Sequence, residues 1–448
     1  MFRQCLVFSL STLCLLGSGV LASEPSPDLS PASASAPIAF SLRDAISSGI
    51  QNSPSLLKAE AKRSEGKWKG VEGFSVFLPI LTLSGSHFFE KKYQLLDVPF
   101  GGRVQEIPQI FPSSSLTLDA KLLLFDGFQN IALFNAAQNF KDGTDASYQW
   151  TLFQAARDIS IAYAKVVASK QLEEVGRQNL KTLENHLEQI NRLKSGGLAT
   201  HYDVLRVESQ LSEAQADLLQ AEDNTLIAQE NLGRMMGLPD AVDVTESNLE
   251  VPSSSLVKDI QFNRNANKRQ DLAALEKQVE ASDALQTSYS RFWVPKIYLG
   301  AQISKYNNLT DPLSDWDRYR SSWNVGFLLN WEIFNPRVFA QSRQEWYKSV
   351  QTQKTLVEAN LQAPLEFAFW KKRYLYSATL YHAKKIDADR ATETVRLAQA
   401  GFKAGVRTTT EVLDAELELF RARAGIVNTQ VNCLEAKEKL ELSLGETL

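Results

Sequence analysis

The stretch "GGLATHYDVLRVE", residues 196–208, lies between two long helical segments, and a second version, "AGVRTTTEVLDAE", occupies residues 404–416, each position 208 residues further on. In both, glycine is followed by Thr and, three residues after a Thr, by an acid: a turn and then the start signature of a new helix. Each stretch reads as the tip of a helical hairpin, with Gly196, Gly197 and Gly405 at the turns.

Working outward, the 208-residue shift also carries Gly237 onto Gly445. Before the tips a shift of 216 holds instead: Leu56 falls on Leu272, and "FLP" ending at Pro79 falls on "WVP" ending at Pro295. The offset changes between two strand candidates, so it is a difference in loop length. The 448 residues, long enough for two or three ordinary domains, therefore divide into two copies of one plan, at 41–237 and 257–448, joined by a connector at 238–256. Each copy runs short helix, strand, loop, strand, very long helix, turn, helix.

The strands are expected at about 80–94, 114–126, 296–306 and 323–334, from period-2 alternation. Leu81 and Leu83 alternate with Thr82, Ser84 and Ser86; Leu116, Leu118, Ala120, Leu122 and Leu124 alternate with Thr117, Asp119 and Lys121. In the second copy Ile297, Leu299, Ala301 and Ile303 form one such series, and Val325, Phe327, Leu329, Trp331 and Ile333 another. Aromatic residues gather at the strand ends, among them Phe88, Phe89, Tyr93, Phe125, Tyr306, Trp323 and Phe334. An apolar face, a polar face and aromatic girdles are the pattern of outer-membrane strands; the other reading is a soluble sheet with one wet face. Four strands cannot close a barrel, and an open edge is not tolerated in lipid, so a spanning version pools strands from several identical chains.

Residues 127–195 contain no proline and read as one helix, roughly 100 Å long at 1.5 Å per residue. The return helix, about 201–236, is half as long, and the opening helix, about 41–73, would stack on its end. Val204, Val207, Leu211, Ala214, Leu218, Ala221, Thr225, Ala228, Leu232 and Met235 form a 3-4 seam, as do their counterparts from Val412 to Ser443. Small residues in such a seam imply close antiparallel coiled-coil packing. Cys433 sits at a seam position and reads as a packed thiol.

The start, "MFRQCLVFSLSTLCLLGSGVLAS", has the form of a secretory signal cleaved after Ala22, which would remove Cys5 and Cys14 and leave Cys433 without an intrachain partner. The Pro/Ser/Ala-rich segment to residue 40 reads as a disordered lead-in. No later stretch approaches the roughly 18 apolar residues of a spanning helix. The 48 basic and 52 acidic residues, net charge -4, are dispersed without a basic block, which argues against nucleic acid. His87, His186, His201 and His382 are scattered and form no metal-spaced pair, and no nucleophile elbow, P-loop or dinucleotide fingerprint occurs. No catalysis, no cofactor and no metal are expected.

"SLRDAISSGIQNSPSLLKAEAK", "FLPILTLSGS", "LFDGFQN", "GGLATHYDVL", "MMGLP" and then "GVRTTTEVLDAELELFRARAGIVN", in this order and duplicated, make the chain similar to the TolC-like outer-membrane efflux protein family over essentially all of its length beyond the leader. The resemblance implies an α+β membrane protein: a homotrimer whose four strands per chain form a shared 12-stranded transmembrane β-barrel in outer-membrane lipid, above a long antiparallel coiled-coil α-barrel that crosses the periplasm. It implies an exit duct for a tripartite efflux or type I secretion system, docked to a periplasmic adaptor protein and an inner-membrane pump or secretion ATPase. The connector would wrap the waist of the α-barrel.

The resemblance further implies that the hairpin tips close the periplasmic end. Glu411 and Asp414, three residues apart on one helix face, match the acidic ring of that gate, and Asp203 and Arg407 match polar links between neighbouring hairpins. Phe402 stands where the family's best-known pattern has a hydrogen-bonding Tyr, and Glu411 where Asp is common. Glu411 and Asp203 also fit a simpler role as helix-start acids, each three residues after a Thr. Asp414 lies a turn further in, and its counterpart in the first copy is Arg206, so the two tips are not interchangeable.

Overall fold

The computed structural model describes residues 38–89, 93–110, 114–248, 250–251, 257, 259–262, 269–307, 317 and 319–448. The signal segment and nearly all of the lead-in lie outside them, as do residues 252–256 of the connector. The lead-in does not extend to residue 40 as expected: Ala39–Phe40 is a strand, β1, paired parallel with β6, Asp243–Val244. Ile38 and Phe40 supply the carbonyls that Asp243 and Thr245 bond, which makes this part of the chain structural.

After β1 the opening helix comes in two pieces, α1 (Leu42–Asn52) and α2 (Pro54–Ser75), divided at Ser53, because the residue before a proline is pushed out of the helical region. The remaining elements are β2 (Ile80–His87), β3 (Tyr93–Phe100), β4 (Arg103–Ile110), β5 (Ser114–Phe125), α3 (Gln129–Ser195) and α4 (His201–Met236). After β6 come α5 (Gln270–Ser290), β7 (Lys296–Asn307), β8 (Arg320–Asn330), α6 (Pro336–Lys403) and α7 (Thr409–Leu444).

The principal sheet has the order β2-β5-β7-β8, antiparallel throughout. Its register puts the paired apolar residues of the alternation on one face: Leu83 opposite Leu118, Leu118 opposite Ile303 and Ile303 opposite Trp323 in one row, with Leu299 opposite Phe327 further along. The other face is held by side-chain hydrogen bonds across the strands, Thr117 to Ser304 at 3.0 Å, Gln302 to Asp119 at 3.0 Å and Asn324 to Gln302 at 3.1 Å. Among the described residues of one chain the sheet does not close, and β2 and β8 are its outer strands.

Three strand expectations are corrected. The first strand does not run to about 94: it ends at His87. Tyr93 opens a separate two-stranded sheet, in which β3 and β4 form a hairpin around Gly101 and Gly102, both in the left-handed region that a tight two-residue turn requires. The last strand ends at Asn330, so Trp331 and Ile333 do not continue it; Trp331 instead donates to the Trp293 carbonyl at 2.9 Å.

The helices pack side by side, α2 on α3, α3 on α5 and α5 on α6 near the sheet, with α3 on α4 and α6 on α7 beyond. Gly237 ends α4 in the left-handed conformation and abuts the other piece of the rod so closely that an added Cβ would lie 2.2 Å from the Asn52 carbonyl oxygen. That is end-to-end stacking of the opening and return helices. Midway along α3, Ile159, Tyr163 and Val166 pack with Ala45 of α1, Leu232 and Met236 of α4, and Val242 and Val244 of the connector. Tyr163 also donates to the Phe40 carbonyl at 3.1 Å, and Lys170 binds Asp243 at 2.8 Å, which straps the start of the connector to the middle of the rod. The second copy has its own core of Phe367, Tyr374, Cys433, Ala436 and Leu440. Cys433 is fully buried there, and burial pushes its thiol up to about 11, so it packs as an apolar side chain.

Candidate gate at the hairpin tips

Both tips are built from the same backbone device. Leu198 N–H bonds the Leu193 carbonyl at 2.8 Å and Gly197 N–H that of Lys194 at 2.9 Å; in the second copy Val406 bonds Gly401 and Gly405 bonds Phe402, both at 3.0 Å. This capping of the outgoing helix needs a left-handed residue, which Gly197 and Gly405 supply at φ 74° and 72°. Gly196, by contrast, has an ordinary φ of -86° and simply ends α3.

The incoming helices start with matching capping boxes. The Thr200 hydroxyl accepts from Asp203 N–H at 3.2 Å, while the Asp203 carboxylate accepts from Thr200 N–H at 2.9 Å. Thr408 and Glu411 repeat this at 3.3 and 2.8 Å. Arg407 adds an ion pair to Glu411 at 3.0 Å. The Thr200 hydroxyl and then its N–H hold the Asp203 carboxyl below its usual range; for Glu411 the Thr408 N–H leads, outweighing a small desolvation and helped by the Thr408 hydroxyl and Arg407.

These contacts place Asp203, Arg407 and Glu411 each inside its own hairpin, where they fix the helix starts. Asp414 is different. It takes no part in a cap, it is largely exposed, and the nearest cation is Arg206 of the first hairpin at 3.9 Å. Arg206 makes its shorter bond to Thr410 Oγ1, at 2.9 Å. Arg206 to Thr410 is therefore a direct hydrogen-bonded tie between the two tips of one chain, between residues that are not repeat counterparts.

Glu411, Asp414 and Arg407 line an open groove of about 650 Å³ between α6 and α7, together with Arg390, Glu418 and Arg421. Its walls carry charges of both signs, with the three acids Glu411, Asp414 and Glu418 in succession along α7. Phe402 faces the other way, into the seam between the hairpins, where its ring lies 5.9 Å from that of His186 and packs with Leu183, Val207 and Leu413. Phe402 thus has an apolar seat. Among the described residues no group of three or more His, Cys, Asp or Glu side chains is placed to hold a metal.

A model of the outer membrane efflux protein family matches residues 45–238 and 263–446, one span per copy. The proteases secretion protein PrtF of Dickeya chrysanthemi is 22% identical over 423 residues, 91% of this chain and 88% of its own length. Among solved structures, the outer membrane protein VceC of Vibrio cholerae superposes with a TM-score of 0.76 at 19% identity, covering 91% of this chain and 96% of that one. The open-state MtrE outer membrane channel of Neisseria gonorrhoeae gives 0.71 at 18% identity, covering 90% and 89%.

Proposed function

The chain belongs to the outer membrane efflux protein family, and from that premise we propose that three copies close one barrel by pairing β8 of each with β2 of the next, 3 × 4 strands making twelve. The family places it in the outer membrane and extending into the periplasm, as an exit duct of an efflux or secretion system. The observation that carries the trimer is the sheet itself. Among the described residues its two edges are free, and one face exposes Trp323 at 77%, Phe327 at 76% and Leu329 at 69%. Such a face suits hydrocarbon, and such edges must be satisfied by another strand before the sheet can sit in it.

The polar face, with Thr117, Asp119, Gln302 and Asn324 bonded across strands, then lines the lumen. A second apolar strip supports the same assembly: Val357, Leu361, Leu365 and Phe369, four residues apart along α6, are all more than half exposed in the single chain. In the trimer this strip packs on a neighbouring protomer.

At the periplasmic end the hairpin tips form the gate, with Asp414 and Glu411 of the second copy supplying acidic rings, and the exposed tips dock an adaptor protein bound to an inner-membrane pump or secretion ATPase. Asp203 and Arg407 add links between neighbouring hairpins when the trimer forms, over and above their caps. The duct has no energy source of its own and needs no cofactor. Acidic rings attract cations and resist anions. Reconstituted channels should be cation-selective, and selectivity should fall in Glu411→Gln, Asp414→Asn channels; unchanged selectivity would remove the ring. A soluble scaffold, the other reading of the strands, would have to keep Trp323 and Phe327 in water.

A further inference from the structure

The two hairpins of one chain meet in a seam above their tips, where α3, α6 and α7 converge. Two polar atoms of this region are buried without a hydrogen-bond partner, His186 Nε2 on α3 and Glu416 Oε2 on α7. Both residues are only 5% exposed. His186 packs its ring on Phe402, and Gln399, one turn before Phe402 on the same face of α6, donates to the other Glu416 oxygen at 2.9 Å. The bond of Arg423 to Gln178, 3.2 Å, sets the level of α7 against α3. Eight residues from Gln178 to His186 and seven back from Arg423 to Glu416 are runs of nearly equal rise, so the two side chains lie at one height.

Among the described residues nothing charged answers either of them. The elements packed there present Val207 from α4, Leu413 from α7, and Phe402 and Gln399 from α6. Arg206 is engaged with Thr410 and Asp414, and Arg407 with Glu411. A buried ionisable group without a countercharge favours its neutral form. Burial accordingly pushes the Glu416 carboxyl up, against a smaller pull from Gln399, and the His186 imidazole down.

We propose that His186 and Glu416 form a compensating pair: closing the α6–α7 hairpin onto α3 favours the neutral form of both, so each cancels the other's pH response and the closed tip stays indifferent to periplasmic acidity. The inference rests on the reading of the tips as a gate, because separating the hairpins is what hydrates the pair. For Glu416, closure is easiest when it is protonated and weakens as pH rises above the ordinary carboxylate value of 4.5. For His186, closure is easiest when the ring is neutral and weakens as pH falls below the ordinary 6.5. Between those values the two trends run in opposite directions.

The test is leak current through the full-length protein in planar bilayers from about pH 4.5 to pH 7. Glu416→Gln leaves His186 alone, and its leak should rise as pH falls; His186→Gln leaves Glu416 alone, and its leak should rise as pH rises. The expected change is up to about tenfold per pH unit of displacement. Wild type and the double variant should both stay flat. Single variants that stay flat, or that tilt in the same direction, would overturn the pair, and either single variant decides even if the other fails to assemble. If neither wild type nor any variant conducts at any pH, the duct reading falls and the pair with it, an outcome distinct from flat conducting variants.

Discussion

Arg206 of the first hairpin bonds Thr410 of the second at 2.9 Å, across 204 residues of sequence, whereas the repeat itself is 208 residues here. The four-residue difference is one helical turn, so the two hairpins pack with a stagger that duplication alone does not specify. Asp414, the repeat partner of Arg206, is left at 3.9 Å with its charge open to solvent.

If this tie holds the tips of one chain together, Arg206→Ala should make the closed channel leakier without unfolding it. A half-exposed charged hydrogen bond of this kind contributes about 1 kcal/mol, enough for a several-fold rise in leak. Single-channel recordings alongside thermal melting would separate a loosened gate from a damaged fold.

The caps give a pH dependence. Asp203 and Glu411 are both held below the usual carboxylate range, so their contribution is fully present above their ordinary values of 3.8 and 4.5 and is lost as pH falls below them. Limited proteolysis at the tips, constant at neutral pH, should rise under about pH 4 with an acid-stable protease. Thr200→Ala and Thr408→Ala should each cost about 1 kcal/mol and raise cleavage at neutral pH as well.

A stronger effect is expected where α3 of the first copy meets α7 of the second. Glu441, 2% exposed, lies 2.8 Å from Arg157 Nε, though angled away from a linear hydrogen bond, and 3.0 Å from Lys437, and accepts from Leu448 N–H at 3.3 Å. Glu441→Ala strands buried charge and should cost about 3 to 5 kcal/mol; Glu441→Gln should cost less. Thermal unfolding in detergent measures both.

The seam and the proposed interface should respond differently to truncation. Leu440 is fully buried within its own chain, so Leu440→Ala should lose about 2 to 5 kcal/mol of folding stability. Leu365, 69% exposed, should barely change the fold when replaced by Glu but should prevent assembly. Light scattering in detergent distinguishes the two outcomes.

Where side chains repeat with a fixed period, the sequence was readable. Alternation placed Leu83, Leu118, Ile303 and Trp323 on one face, and the 3-4 spacing picked out Val204, Val207 and Leu232, all buried. The β3–β4 hairpin was missed because Pro99 and Pro108 interrupt its alternation and argue against a strand, although Gly101-Gly102 is a turn signal. The candidate gate residues were only half legible. Thr200 and Thr408 announce their caps locally, but the Arg206 to Thr410 bond depends on the stagger between hairpins, and the burial of His186 and Glu416 on how three helices converge. Neither leaves a local pattern to read.

If, as proposed, one chain supplies only a third of a closed barrel, the native mass of the protein extracted from outer membranes in mild detergent shows it. Three chains per particle, recovered only with detergent, is the predicted result; a single chain released without detergent would contradict it, because the free edges of β2 and β8 would then face water.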